Sequence, residues 1–494
     1  MTEHLGARAL LELICDSGTF VGWDESLATR PRSAGYEAEL VAARERSGAD
    51  ESVLTGEGRV GGHRVAILAS EFAFLGGSIG RDAAHRLVAA IERATAERLP
   101  LLAGPASGGT RMQEGTAAFV AMIGISAAIA RHKALGLPYL VYLRHPTTGG
   151  VMSSWASLGH VTVAEPGALL GFLGPRVFEA ISGEPFPEGV QRAEHLYAHG
   201  LIDAVVPPRT LPRIVAIALD VLVPSRPAAA AARPEAAEIE QPPVAAWAAV
   251  TATRDPARPG LRRLLDVAAS AVLTLNGTGQ GEADAGILLA LARFGDASCV
   301  VVGHDREDGE PGRPFGPAGL RQVQRGVRLS RDLGLPLVSI IDTPGAELSR
   351  ASEEGGLPGE IARSLVDLVQ LSSPTVAVIL GQGTGGGALA SLPADVVLVA
   401  RHGWLAPLPP EGGAAILWRD PARAPEMAEA FGITAPELRH AGIADRVIPE
   451  LADAAAEPDA FCRRVGAFIE SAIGDLAAVP EAVRLAARLG RYRP

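Results

Sequence analysis

Four blocks of this 494-residue chain occur twice, in the same order. ERLPLLAGPASGGTR (97–111) is matched by DLGLPLVSIIDTPGAE (332–347), with Pro336 lying 336 − 100 = 236 positions after Pro100. LPYLVYLRHPTTGG, ending at Gly149 and Gly150, is matched by SPTVAVILGQGTGGG with Gly386 and Gly387, at 386 − 149 = 237. VTVAEPGALLGFLGP (161–175) pairs with VVLVARHGWLAPLPP (396–410), and HGLIDAVVP (199–207) with AGIADRVIP (441–449). Collinear blocks at nearly constant spacing require two homologous halves. The period is that of a domain rather than of a solenoid repeat, and the length suits two domains of roughly 200 residues.

Each glycine pair places consecutive peptide N–H groups, with no Cβ, at the mouth of an apolar strand. Such groups are what a fold uses to hold a developing oxyanion. Two pairs therefore suit a reaction in which two oxygens become negative.

Around the repeats, strand and helix patterns alternate. RVAILASEFAF (64–74) reads as a strand, DAAHRLVAAIERATAERL (82–99) as an amphipathic helix and PLLAGPAS (100–107) as a buried strand. Residues 114–136 read as a helix and PYLVYLR (138–144) as a strand, and the second half runs the same way through 297–303, 342–346 and 376–381. This alternation predicts an α/β fold with mostly parallel sheet. VPSRPAAAAARPEAAEIEQPP (223–243) lacks an apolar period and reads as a linker. The expected domains are thus 1–222 and 244–494.

Composition excludes several chemistries. The only lysine is Lys133, in a helix tail, so neither a P-loop lysine nor a well-placed Schiff-base lysine is present. It does not sit in an Ala-Met-Lys-Met context for biotin attachment either. Three scattered cysteines, Cys15, Cys299 and Cys462, fit reduced thiols and exclude a four-cysteine zinc site. No metal is expected. A net charge of −11 without basic clusters argues against nucleic acid. No apolar run approaches the ~20 residues a bilayer needs, and the N-terminus lacks a signal-peptide pattern; we expect a cytoplasmic protein with no membrane partner.

The motifs also carry a family resemblance. FAFLGGSIG (72–80), ASGGTRMQEG (106–115), LPYLVYLRHPTTGGV (137–151) and AEPGALLGFLGPRV (164–177) resemble the β subunit of the bacterial acetyl-CoA carboxylase carboxyltransferase. WAAVTATRDPARP (247–259), GHDRE (303–307), IIDTPGAE (340–347), GQGTGGGALA (381–390) and PPEGGAAILW (409–418) resemble its α subunit. The chain is similar to a fused β–α carboxyltransferase of the crotonase superfamily. The resemblance implies two tandem crotonase-type ββα-superhelix domains. It implies that Gly149 with Gly150, and Gly386 with Gly387, form two oxyanion holes, one for the thioester enolate and one for the ureido oxygen of biotin. The biotin anion would then take the α-proton itself.

Superfamily geometry further implies that Gly108, Gly109, Thr110 and Arg111 form the loop for the CoA thioester and pantetheine. Arg111 reads either as a phosphate contact or as an exposed arginine with no ligand role. Gly76 and Gly77 read as packing residues, and His145 as a weaker candidate for a catalytic base. With no ATP-grasp domain and no biotinyl lysine, the resemblance implies that carboxybiotin comes from a biotin carboxylase and a biotin carboxyl carrier protein. It implies a homodimer or higher homo-oligomer with active sites shared between subunits.

Two departures stand out. The zinc ribbon that often precedes the β half is missing, so no role tied to it is expected. GHDRED replaces a more usual Gly-His-Gln-Lys-Gly-Arg run, which leaves the acyl preference open. A malonyl-thioester decarboxylase of the same superfamily, a carboxyltransferase for another acyl-CoA and a non-catalytic assembly subunit are the competing readings.

Overall fold

The computed structural model describes residues 4–25, 30–223, 241–306, 314–451 and 453–493. The chain divides into two compact units, Met1–Val223 and Pro224–Pro494. Most of the expected linker, residues 224–240, lies outside the described residues.

In the first unit the strands are β1 (Val21–Gly22), β2 (Val53–Val60), β3 (His63–Ser70), β4 (Leu101–Gly104), β5 (Tyr139–Leu143), β6 (Thr147–Thr148), β7 (Val161–Ala164), β8 (Leu170–Gly171) and β9 (Ala204–Val205). Among the described residues, seven of them form one sheet in the order β1-β2-β3-β4-β5-β7-β9. The first three are antiparallel and the rest parallel, while β6 and β8 pair separately. Parallel strands are apolar on both faces because crossover helices cover both. β4 and β5 are buried at every position.

The helix Arg81–Ala96 follows the expected pattern: Ala83, Leu87, Ala90, Ile91 and Ala94 face the core. The strand expected over 64–74 ends at Ser70, and 71–77 turns away instead. The reason is local: Leu75, Gly76 and Gly77 all have positive φ, which no strand accommodates.

The segment Met112–Ala134 contradicts the expectation about apolar runs. It is 23 residues long with mean hydropathy 1.3, long and apolar enough to cross a membrane by length and composition. Ala118, Met122, Ile125, Ala128 and Ile129 nevertheless pack it into the core. Its outer face leaves Phe119, Val120 and Ile123 exposed.

The second unit repeats the plan with β10 (Ala271–Leu275), β11 (Ile287–Phe294), β12 (Ala297–His304), β13 (Leu337–Thr343), β14 (Thr375–Thr384), β15 (Val396–Ala400), β16 (Trp404–Ala406) and β17 (Arg446–Ile448). The sheet order is β10-β11-β12-β13-β14-β15-β17, with β16 on the end of β14. The first three strands are again antiparallel and the others parallel. In both units the strands deliver their glycine loops from the carboxyl ends of the parallel part, where such sheets place ligands.

Candidate active site

The loop after β4 is shaped by a hydroxyl. Ser107, fully buried, accepts the Gly109 N–H on Oγ at 3.0 Å, closing a turn in which Gly109 takes φ +111°. The Gly108 N–H goes to Gly76 O at 2.9 Å, and Gly109 O accepts the Ile79 N–H. Gly77 is a packing residue: a Cβ there would sit 2.0 Å from Ala106 O.

The second loop, after β5, lies against the first, backbone to backbone. Ser107 O accepts the Thr148 N–H at 2.9 Å, and Phe172 O accepts the Gly149 N–H at 2.8 Å. Gly149 has φ +62° and begins a short helix, Gly149–Met152. A Cβ on Gly109 would lie 3.1 Å from Gly150 N, and one on Gly149 would lie 3.1 Å from Gly108 O. Side chains are thus excluded from this contact. The Gly150 N–H, in the first turn of its helix, has no acceptor among the described residues. Gly108, Gly109, Thr110, Gly149 and Gly150 are brought together as one mouth, but the N–H groups of Gly108, Gly109 and Gly149 are already committed within the fold; the expectation that both N–H groups of the Gly149–Gly150 pair face a ligand is corrected to the Gly150 N–H, held in place by the others.

The second unit builds the same mouth. Thr343 Oγ1 accepts the Gly345 N–H at 3.0 Å, and Gly345 has φ +126°. A parallel bridge joins Phe315 to Ala346 just as one joins Ile79 to Thr110. Gly385, at φ +64°, begins the helix Gly385–Leu389. All these pairs are spaced by 236, so Gly385 and Gly386 stand where Gly149 and Gly150 stand, and Gly387 stands where Val151 does. The one-residue-longer spacing expected from the glycine pairs is corrected by this register. Sequence reading missed Gly385, Ser107 and Thr343; the third glycine of Thr384-Gly385-Gly386-Gly387 was the available signal. Gly387 is tightly enclosed, since a Cβ would lie 2.8 Å from Phe315 Cζ and 3.2 Å from Ala346 N.

Arg111 is neither exposed nor turned toward a ligand. Its side chain is 1% exposed and forks onto Glu51, itself 2% exposed. It also donates to Ser52 Oγ at 3.1 Å and Ser78 O at 2.8 Å. Burial works against its charge, but the Glu51 carboxylate more than offsets this and keeps the guanidinium pKa above the ordinary arginine value. Every donor of consequence is committed, so Arg111 ties the donor loop to residues 51–52 and 78. In the second unit, Arg306 bridges Asp342 at 3.1 Å and donates to Thr253 O and Asp255 O, while Asp342 Oδ1 accepts the Gln382 N–H at 3.0 Å. The last two residues of the GHDRED motif lie outside the described residues.

His145 is engaged in holding structure. Its Nδ1 accepts the Leu169 N–H at 3.1 Å, and its ring stacks on His4 at 4.3 Å. Burial lowers its pKa. Cys299 and Cys462 are buried and Cys15 half-buried, all as free thiols. Among the described residues, no group of three His, Cys, Asp or Glu gathers to hold a metal.

The carboxyl transferase domain model matches residues 5–480. The chain belongs to the carboxyl transferase domain family. This carboxyl transferase chain is 55% identical over 485 residues to the probable biotin-dependent acyl-coenzyme A carboxylase beta3 subunit of Mycobacterium tuberculosis, covering 98% of the chain and 97% of that relative. It is 37% identical over 512 residues to the acetyl-coenzyme A carboxylase carboxyl transferase subunits beta/alpha of Salinispora arenicola, with 99% and 90% covered. Among solved structures, transcarboxylase 12S matches with a TM-score of 0.74 over 96% of this chain and 90% of the other, at 22% identity, a likeness of fold. Both units of the carboxyl transferase chain have the crotonase-like architecture.

Proposed function

We propose that this chain is the carboxyltransferase component of a biotin-dependent acyl-CoA carboxylase, with acetyl-CoA as acceptor and malonyl-CoA as product. The observation that carries the reading is the doubled mouth: two glycine loops of one geometry, each with a first-turn N–H, that of Gly150 or Gly386, that has no acceptor among the described residues. The relatives' names support the substrate class.

Carboxybiotin, brought by a carrier protein loaded by a biotin carboxylase, is one substrate and the acyl thioester the other. In this reading, the Gly150 N–H, positioned by the loop of Gly108, Gly109 and Thr110 and by Gly149, holds the thioester oxygen as the α-carbon loses its proton. Gly386, with Gly387 beside it, holds the ureido oxygen as biotin releases the carboxyl group. Preorganised N–H donors act where negative charge grows, and losing one typically costs ~3–4 kcal/mol of barrier. The released biotin anion is basic enough to take the α-proton. This account suits a first unit in which Arg111 is committed to Glu51 and the His145 ring accepts the Leu169 N–H.

We further propose a cytoplasmic homodimer or larger homo-oligomer in which the first unit of one subunit meets the second unit of another. Exposed apolar groups, Phe119 and Ile123 in the first unit and Ile416 and Leu417 in the second, are surfaces that such assembly would cover.

The deciding assay is carboxyl transfer from malonyl-, methylmalonyl- and longer carboxyacyl-CoA to biocytin. Fastest turnover with malonyl-CoA is expected; preference for a longer chain would replace acetyl-CoA as the acceptor. Biotin-independent release of carbon dioxide would instead favour the decarboxylase reading.

A further inference from the structure

The two units share one more feature, at positions where apolar bulk is costly. Met112 is 83% exposed and Leu348, 236 positions later, is 96% exposed. Around them the repeat has diverged, with Arg111 against Glu347 and Gln113 against Ser349. What has been kept is a large apolar side chain in water.

Neither is exposed because its backbone is loose. The residue before Met112 is pinned by Arg111 N–H donating to Ile79 O at 3.0 Å, and the one before Leu348 by Glu347 N–H donating to Phe315 O at 3.0 Å. Behind Met112 a turn closes from Glu114 N–H to Arg111 O at 3.1 Å; behind Leu348, Ser349 caps the helix Arg350–Glu354 through the Ser352 N–H at 3.1 Å. Each side chain stands three residues past the left-handed glycine of its donor loop, Gly109 or Gly345. A rigidly presented apolar group beside a polar mouth is how a site grips the apolar part of a ligand whose polar atom the mouth holds.

Resting on the function proposed above, we infer that Met112 and Leu348 are substrate-gripping residues of the two donor mouths, Met112 against the pantetheine arm of the acyl-CoA and Leu348 against the carried biotin ring. Each serves one substrate. The occupied state removes both side chains from water, and each contact contributes binding for its own ligand alone.

The test is binding of coenzyme A by calorimetry and of biocytin by saturation-transfer NMR, on the full-length protein and its Met112→Ser and Leu348→Ser variants. Met112→Ser should weaken coenzyme A about tenfold and leave biocytin within twofold; Leu348→Ser should do the reverse. Light scattering should show the wild-type assembly state in both. Equal losses for both ligands, a reversed split, no loss, or dissociation of the oligomer would each overturn the inference, the last by making these residues contacts between copies. Failure of the unaltered protein to bind either ligand would count against the proposed function itself and against this inference with it.

Discussion

Ser107 and Thr343 occupy the same place in the two units, and each hydroxyl oxygen accepts the N–H of the glycine two residues on, at 3.0 Å. That bond sets the left-handed turn from which the rest of each loop is aimed. Removing it leaves a glycine N–H to find another partner, at a cost of about 1 kcal/mol. Ser107→Ala and Thr343→Ala should each lower stability by about that amount and reduce kcat by roughly tenfold, while Ser107→Thr retains most activity. Urea midpoints with steady-state kinetics on the three variants check this.

The glycines separate by what surrounds them. A side chain at Gly150 meets Thr110 Oγ1 at 2.9 Å, and one at Gly386 meets Ile361 Cδ1 at 2.9 Å, both ends of movable side chains. At Gly387 the obstacles are the Phe315 ring and a backbone nitrogen. Gly150→Ala and Gly386→Ala should therefore fold with a nearly unchanged Tm and lose roughly 10²–10³ in kcat. Gly387→Val should lose several degrees of Tm as well. His145→Ala, which removes the acceptor of the Leu169 N–H, should cost less than about tenfold in kcat. If it abolishes turnover with the fold intact, a protein base replaces biotin as the proton acceptor.

Shared sites predict complementation. Mixing Gly150→Val with Gly386→Val subunits under exchange should restore part of the activity that either lacks alone. Mass spectrometry of the mixture confirms exchange, and kinetics reads the outcome.

The Arg111–Glu51 pair is buried on both sides. Arg111→Ala strands a carboxylate in the interior, which typically costs about 3–5 kcal/mol. Arg111→Lys should recover little, because an ammonium cannot reach Glu51, Ser52 and Ser78 together. Thermal unfolding of both variants measures the difference.

Glu360 supplies a pH-dependent contribution. The Arg363 guanidinium, with Gln324 and Arg321, holds its carboxyl at about 2 against a usual 4.5, although burial opposes this. A carboxylate whose pKa is depressed on folding stabilises the protein above the unfolded value and loses that contribution as pH falls. The loss should fall between pH 4.5 and 2. Glu360→Gln should be less stable at pH 7 and show a shallower acid limb, read from urea midpoints at pH 7, 4 and 3.

Much of the architecture was legible in the residues because it is written in short-range patterns. Apolar runs such as Tyr139–Leu143 and Leu337–Thr343 become buried parallel strands, and the amphipathic period of 82–99 becomes the helix Arg81–Ala96. The repeat spacing of Pro100 and Pro336 already carried the doubled fold. What the tertiary structure alone decided were matters of long-range contact. Glu51 lies 60 residues from Arg111, so no local pattern could reveal that the guanidinium turns inward. The equivalence of Gly385 with Gly149 depends on φ and on the bridges Ile79–Thr110 and Phe315–Ala346, since three consecutive glycines offer no side chain by which to choose a register. The fate of 112–134, one face in the core and the other open, was likewise settled by the helix it packs against, because hydropathy counts apolar residues without saying which side of a helix finds a partner.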